Sequence, residues 1–274
     1  MSDLSTLSTL EDILVPTMFA LFGALWGSFA NVVILRLPAG KSVVSPRSQC
    51  PHCGTLIRWF DNIPILSWLI LRAKCRKCKA AISWRYPLVE LIMSILFLLA
   101  YVKLGWSWTL LEYLIFIFGL VTVSFIDFDH MILPDQFTLG GIVVGLLGAA
   151  LNPEREFMPA LWGVLLGGGF LWAVAYLYLV LRKQDGMGGG DIKLLAWIGA
   201  VLGVASIPFV ILISSVVGSV VGILWSFKVK KGMQTTIPFG PYLALAALIY
   251  MLYGGYDLSR LYFSFFGLDM LVDG

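Results

Sequence analysis

The sequence predicts an all-α protein that crosses a membrane several times, and three observations carry that expectation. The 274 residues are 59% hydrophobic and only 13% charged, with a mean hydropathy of +0.90. A soluble domain of this size carries roughly 25% charged and 45–50% apolar residues. The apolar residues gather into runs close to the 20 or so needed to span a bilayer as a helix. The positive charge is gathered too: ten of the 19 Lys and Arg fall between Arg36 and Arg85, in the one long polar segment.

About eight membrane helices can be drawn, over residues 14–35, 87–104, 108–127, 136–151, 159–181, 192–206, 208–227 and 236–253. The first is a retained helix and no signal peptide. Asp3, Glu11 and Asp12 precede it where a cleaved leader would be basic, and no small-residue cleavage site follows. The sixth is short, and only Ser206-Ile207-Pro208 divides it from the seventh. The expected organisation is an N-terminal helix (1–36), a small insert between helices 1 and 2 (37–86), a membrane core (87–254) and a C-terminal tail (255–274).

Lys and Arg accumulate on the cytoplasmic side of membrane proteins, so the basic insert is expected there. With eight spans, residues 127–135, 182–191 and 228–231 fall on the same side. Arg182, Lys183, Lys228, Lys230 and Lys231 agree; Lys103, Arg155 and Arg260 run against it. Both termini are then outside.

The insert holds all four cysteines, in Cys50-Pro51-His52-Cys53-Gly54 and Cys75-Arg76-Lys77-Cys78, with 21 residues between the pairs. Two CxxC turns at this spacing match a structural zinc site of four thiolates, Cys50, Cys53, Cys75 and Cys78. Fifty residues are too few to bury a core here, so metal binding would supply folding free energy. Two disulfides are the alternative, disfavoured in a reducing compartment. Trp59, Trp68 and Trp84 are read as anchors at headgroup level. No glycine-rich dinucleotide or adenosyl fingerprint follows a strand, and no nucleic-acid partner is expected.

Carboxylates bordering a bilayer are costly and therefore functional candidates. Asp191 ends the run Gly186-Met187-Gly188-Gly189-Gly190. Glycines such as Gly188 and Gly190 let another backbone approach closely, as an extended substrate requires; the plainer reading makes Asp191 the N-cap of the next helix. Its partner is sought among Asp127, Asp129 and Asp135. Asp135 suits a helix start, Asp129 suits a turn, and Asp127 lies deepest in an apolar run, where burial costs most. Two carboxylates sharing one proton can hydrolyse a peptide bond. Ile237-Pro238-Phe239-Gly240-Pro241 opens the last helix on the same side; Pro238 and Gly240 either border the site or simply start the helix.

The chain resembles the type IV prepilin peptidases, bacterial members of the GxGD class of intramembrane aspartyl proteases. The likeness rests on Gly27-Ser28-Phe29-Ala30-Asn31, the two CxxC pairs, Asn62-Ile63-Pro64, Arg85-Tyr86-Pro87-Leu88-Val89-Glu90, Asp127 through Asp135, Gly186 to Asp191 with Lys193-Leu194, and Pro238-Phe239-Gly240-Pro241, in family order along nearly the whole chain. Ala73 and Lys79 stand where glycine is common. The resemblance implies an inner-membrane enzyme that cleaves the leader of prepilins or pseudopilins at the cytoplasmic face, with Asp127 and Asp191 as the catalytic pair. It also implies N-methylation of the new terminus by S-adenosylmethionine, an activity tied to the cysteine insert. The rival readings are a peptidase with a merely structural insert, a methyltransferase alone, and a zinc-ribbon scaffold or proton-coupled transporter.

Overall fold

The computed structural model describes residues 2–184, 188–229 and 237–254. Gly186 and Met187 of the glycine run, Lys230, Lys231 and the tail 255–274 lie outside the described residues. The chain divides into two compact units, Met1–Leu110 and Leu111–Gly274.

The first unit contains α1 (Ser2–Arg36), the insert with the five-residue α2 (Leu66–Ile70), and α3 (Arg85–Leu104). Helices in a membrane gain little from apolar burial against one another, so close contact at small residues and hydrogen bonds hold them. A Cβ on Gly23 would lie 2.6 Å from the Met93 carbonyl, and one on Gly27 2.6 Å from the Glu90 Cα. The Asn31 amide donates to the Tyr86 carbonyl at 3.0 Å, and the Ser94 hydroxyl donates to the Ala20 carbonyl at 2.8 Å.

Within the insert, residues 37–86, only Cys50 and Ser67 are buried, which bears out the expectation that it lacks a core. Its order comes from local bridges, Gln49 with Leu56 and Lys74 with Ala81. Trp68, read from sequence as a headgroup anchor, instead donates its indole N–H to the Ile82 carbonyl at 3.1 Å and ties the insert together. Trp59 and Trp84 are exposed.

The second unit carries the greater part of α4 (Trp108–His130), with α5 (Asp135–Leu151), α6 (Phe157–Arg182), α7 (Gly189–Leu202), α8 (Ser206–Val229) and α9 (Gly240–Tyr253). Its centre is α7, in which every residue from Leu194 to Val201 is buried. A helix apolar on all sides belongs inside a bundle, and α7 packs on α5, α6, α8 and α9. The Trp197 ring fills notches left by Gly119 of α4 and Gly141 of α5. Where α6 crosses α7, Gly163 and Gly199 meet backbone to backbone, and a Cβ on either would collide with the other.

Among the described residues five helices, within Glu11–Arg36, Arg85–Leu104, Trp108–His130, Phe157–Arg182 and Ser206–Phe227, are long and apolar enough to cross a membrane. The protein is a multi-pass membrane protein. All eight apolar runs form helices, but α5, α7 and α9 have only 17, 14 and 14 residues. They rise about 21–26 Å, short of the roughly 30 Å hydrocarbon core. For α7 the reason is its setting: protein, rather than lipid, selects its apolar residues.

Candidate functional site

The second unit brings the end of α4 and the starts of α5, α7 and α9 together. Asp127 sits one turn before the C-terminus of α4 and is 5% exposed. Its Oδ2 accepts the Gly240 backbone N–H at 3.1 Å. Gly240 is the first residue of α9, and the free N–H groups at a helix start carry partial positive charge. Only glycine fits there: a Cβ would stand 2.7 Å from Asp127 Oδ2 and 3.1 Å from the Leu133 side chain. Leu133 closes the same corner against Gly190, where a Cβ would lie 2.9 Å from its own. Gly190 and Gly240 are thus small for packing reasons at the two sides of one leucine.

Asp191 is half-buried in the first turn of α7. The N-cap is Gly188, and the Asp191 N–H donates to the Gly188 carbonyl at 3.2 Å, so Asp191 does not cap the helix. Leu133 packs against Gly190, the residue before Asp191, and against Gly240, whose N–H binds Asp127, so the two aspartates share one corner. A Cβ on Gly189 would meet nothing within 4 Å, and one on Gly188 only Asp191 Oδ2, at 3.9 Å. Among the described residues, then, nothing crowds Gly188 and Gly189 beside Asp191. Pro238 is half-buried just before α9.

The other two candidate aspartates are placed differently. Asp129 belongs to the last turn of α4 and not to a loop. Asp135 starts α5 without a capping bond and accepts from Lys193 Nζ at 2.7 Å. Among the described residues neither Asp127 nor Asp191 has a cationic partner.

In the first unit the four cysteines converge. One ligand atom from each of Cys50, Cys53, Cys75 and Cys78 lies within 4.8 Å of the others, and Cys50 Sγ and Cys78 Sγ are 3.7 Å apart. Sulfurs about 2.3 Å from a tetrahedral zinc stand about 3.8 Å from one another, so the cluster fits such an ion. Both pairs use one turn. The Cys50 N–H donates to the Thr55 carbonyl at 2.9 Å and the Gly54 N–H to the Cys50 carbonyl at 2.9 Å. In the second pair Cys75 N–H reaches the Ala80 carbonyl at 2.8 Å and Lys79 N–H the Cys75 carbonyl at 3.0 Å.

The thiols do not share one acidity. Contacts with the Thr55 hydroxyl and backbone pull Cys53 down to about 6. The Ala80 backbone favours the Cys78 thiolate, but desolvation and three neighbouring sulfurs push that thiol up to about 11. Four thiolates this close need a cation between them. Arg76, inside the second turn, clasps Asp61 with Nε at 2.9 Å and Nη2 at 2.6 Å.

Two contacts had no signal in the sequence. Glu90 of α3 is buried and accepts the Ile65 N–H at 2.7 Å. Arg155, which runs against the charge bias, pairs with Glu112 and donates to the Ala200 carbonyl at 2.8 Å.

Residues 21–104 match the bacterial peptidase A24 N-terminal domain, and residues 114–223 match the type IV leader peptidase family. A prepilin leader peptidase/N-methyltransferase of Stutzerimonas stutzeri is 41% identical over 255 residues, covering 85% of this chain and 88% of the relative. Relatives of the same description from Aeromonas hydrophila and Pseudomonas aeruginosa are 39% and 38% identical, each covering 90% of this chain and 93% of the relative. No solved structure matches.

Proposed function

The chain belongs to the type IV leader peptidase family, and from that premise we propose that it cleaves the leaders of prepilins or pseudopilins and N-methylates the terminus it creates. The observation that carries the cleavage reading is the convergence of Asp127 and Asp191 on the corner closed by Leu133, without a cationic partner among the described residues. Two neighbouring carboxylates resist joint ionisation and share a proton. The ionised one takes a proton from water as that water attacks the scissile carbonyl; the protonated one donates to the carbonyl oxygen. Collapse breaks the C–N bond, and the leaving nitrogen takes up a proton. Helix-start dipoles, one from α9 at Asp127 and one from α7 at Asp191, stabilise a single negative charge without fixing the proton on either group.

Gly188 and Gly189 leave room for an extended substrate backbone, while Pro238 and Gly240 border the pair. The expected setting is the bacterial inner membrane, with eight crossings and the pair at the cytoplasmic face. There a basic leader meets anionic headgroups while the substrate's apolar helix stays in the bilayer.

In the first unit Cys50, Cys53, Cys75 and Cys78 hold a structural Zn2+. S-adenosylmethionine, when bound, would supply the methyl group to the new amine, whose nitrogen gives up a proton.

The test is to incubate the purified protein with a model prepilin and S-adenosylmethionine and to weigh the product against Asp191→Asn. Leader loss plus one methyl group is the expected result. Leader loss alone leaves a peptidase with a structural insert. No cleavage of several such substrates by the folded, zinc-loaded protein overturns the reading.

A further inference from the structure

We propose that S-adenosylmethionine binds in the cavity of the first unit between the C-terminal half of α1 and the insert. The inference rests on the methyl-transfer reading above and says where on this chain the donor is held.

The cavity has a volume of about 600 Å³, within the range of about 300–1,000 Å³ typical of small-molecule sites. Ser28, Phe29 and Arg36 reach it from α1, and Arg47, Trp59 and Asn62 from the insert. Ser28 and Arg36 are eight residues apart, about 12 Å along the helix, so the wall runs from an apolar stretch to a cationic edge. That gradient suits a molecule with an α-carboxylate at one end and a flat heterocycle at the other. Guanidinium groups match carboxylates in pairs of hydrogen bonds. Arg36 is steadied by donating to the Ser42 carbonyl at 3.1 Å, and Arg47 is exposed and makes no ion pair among the described residues. The Trp59 ring is 76% exposed and offers a face to a sulfonium or an adenine. The Ser28 hydroxyl and Asn62 amide add the few polar groups that fix orientation in such sites.

A strained turn follows directly on the Asn62-Ile63-Pro64 wall of this cavity. Ile65 has φ 61° and ψ −53°, and Leu66 N–H closes a γ-turn onto the Pro64 carbonyl at 2.5 Å. Positive φ is rare for a β-branched residue, and the positive-φ γ-turn is the strained form. Glu90 holds it, accepting the Ile65 N–H at 2.7 Å, and the Glu90 backbone packs directly on Gly27 of α1. One buried residue thus joins α1, at Gly27, to the turn that follows the Asn62-Ile63-Pro64 wall. Strain of this kind persists where surroundings over-determine it and marks functional sites.

The test measures binding, independently of turnover. Full-length protein in lipid nanodiscs is titrated with S-adenosylhomocysteine and photo-crosslinked to methyl-labelled S-adenosylmethionine, for wild type, Trp59→Ala and Arg47→Glu. Bound zinc per chain reports that each variant keeps the insert folded. The proposal expects label within residues 28–62 and binding about tenfold weaker or more in both variants, with zinc retained. Label mapping to residues 111–254, or donor binding unchanged in both variants, overturns it and leaves the cavity to another occupant such as an anionic phospholipid. Wild-type protein that cleaves prepilin but neither binds nor uses the donor overturns the methyl-transfer reading, and the proposal with it. Wild-type methylation with undiminished binding in the variants overturns the location alone.

Discussion

At one end of the second unit Glu112 of α4 sits among the Asn152 amide, at 2.9 Å, and the Arg155 guanidinium. At the other end Asp127, fifteen residues and about 22 Å farther along the same helix, accepts the Gly240 backbone N–H and has no cationic partner among the described residues. Both acids are shielded, and the unit treats them in opposite ways. Glu112 is neutralised by a full charge that in turn donates to the end of α7 at Ala200, so it ties α4, α5 and α7 together. Asp127 has, among the described residues, the Gly240 N–H at the start of α9 and no cation. A buried acid without a cation adds little to stability and keeps its proton available for chemistry; a buried acid with one is a structural tie.

The largest expected effect separates the two ends by activity. Asp127→Asn or Asp191→Asn should lower prepilin cleavage by about a thousandfold or more, since each removes a general acid or base worth roughly 10²–10⁴. Neither should lower thermal stability, because each removes a poorly solvated charge. Product mass and unfolding in the same detergent preparation measure both. Substantial cleavage by either purified variant removes the aspartate-pair mechanism.

The second effect inverts that pattern. Arg155→Ala leaves Glu112 without its cation, and breaking a buried pair costs about 3–5 kcal/mol. With side chains 12% and 16% exposed, some water reaches the pair, and about 2–3 kcal/mol is expected. Cleavage per folded molecule should stay close to wild type. A cleavage loss as deep as that of Asp127→Asn, in protein still folded, would erase the distinction between the two ends.

The candidate site was legible wherever cost or spacing is written in consecutive residues. A carboxylate in an apolar run, a glycine run before an aspartate and two CxxC turns need no tertiary knowledge. What stayed hidden depends on partners distant in sequence. Arg155 looked like an exception to charge bias because Glu112, 43 residues earlier, is unrecognisable as its partner. The plainer reading of Asp191 as an N-cap fails because the helix starts earlier, with Gly188 as the N-cap. The eight apolar runs were all helices, yet hydropathy does not distinguish residues facing lipid, as in α6, from residues facing protein, as in α7. The strained Ile65 turn had no local signal because a glutamate 25 residues on holds it.

Between the two ends, the crossing of α6 and α7 sets how rigidly α7 carries Asp191. Gly163→Ala would drive a Cβ into the Gly199 backbone, and overpacking of this kind costs roughly 1–3 kcal/mol. The expected result is lower thermal stability together with partial loss of cleavage, because α7 must shift. Gly140→Ala is the matched control, since a Cβ there meets nothing within 4 Å. Equal stability of the two variants would show that the crossing does not constrain α7.

The smallest effect tests the comparison where it is closest to failing, inside the acidic end itself. Asp135 lies near the pair in sequence and was one of three candidate partners for Asp191, but it is bonded to Lys193, with side chains 57% and 37% exposed. An ion pair so open to water is screened and contributes about 0.2–1 kcal/mol at most. Asp135→Asn should therefore change stability by less than about 1 kcal/mol, an effect that fades with added salt. Cleavage should fall by less than about fivefold. Asp135 then belongs with Glu112, as an acid already neutralised, despite sharing an end with Asp127. If Asp135→Asn instead silences cleavage as completely as Asp127→Asn, a cationic partner does not separate structural from catalytic carboxylates here, and the identity of the pair would have to be reassigned.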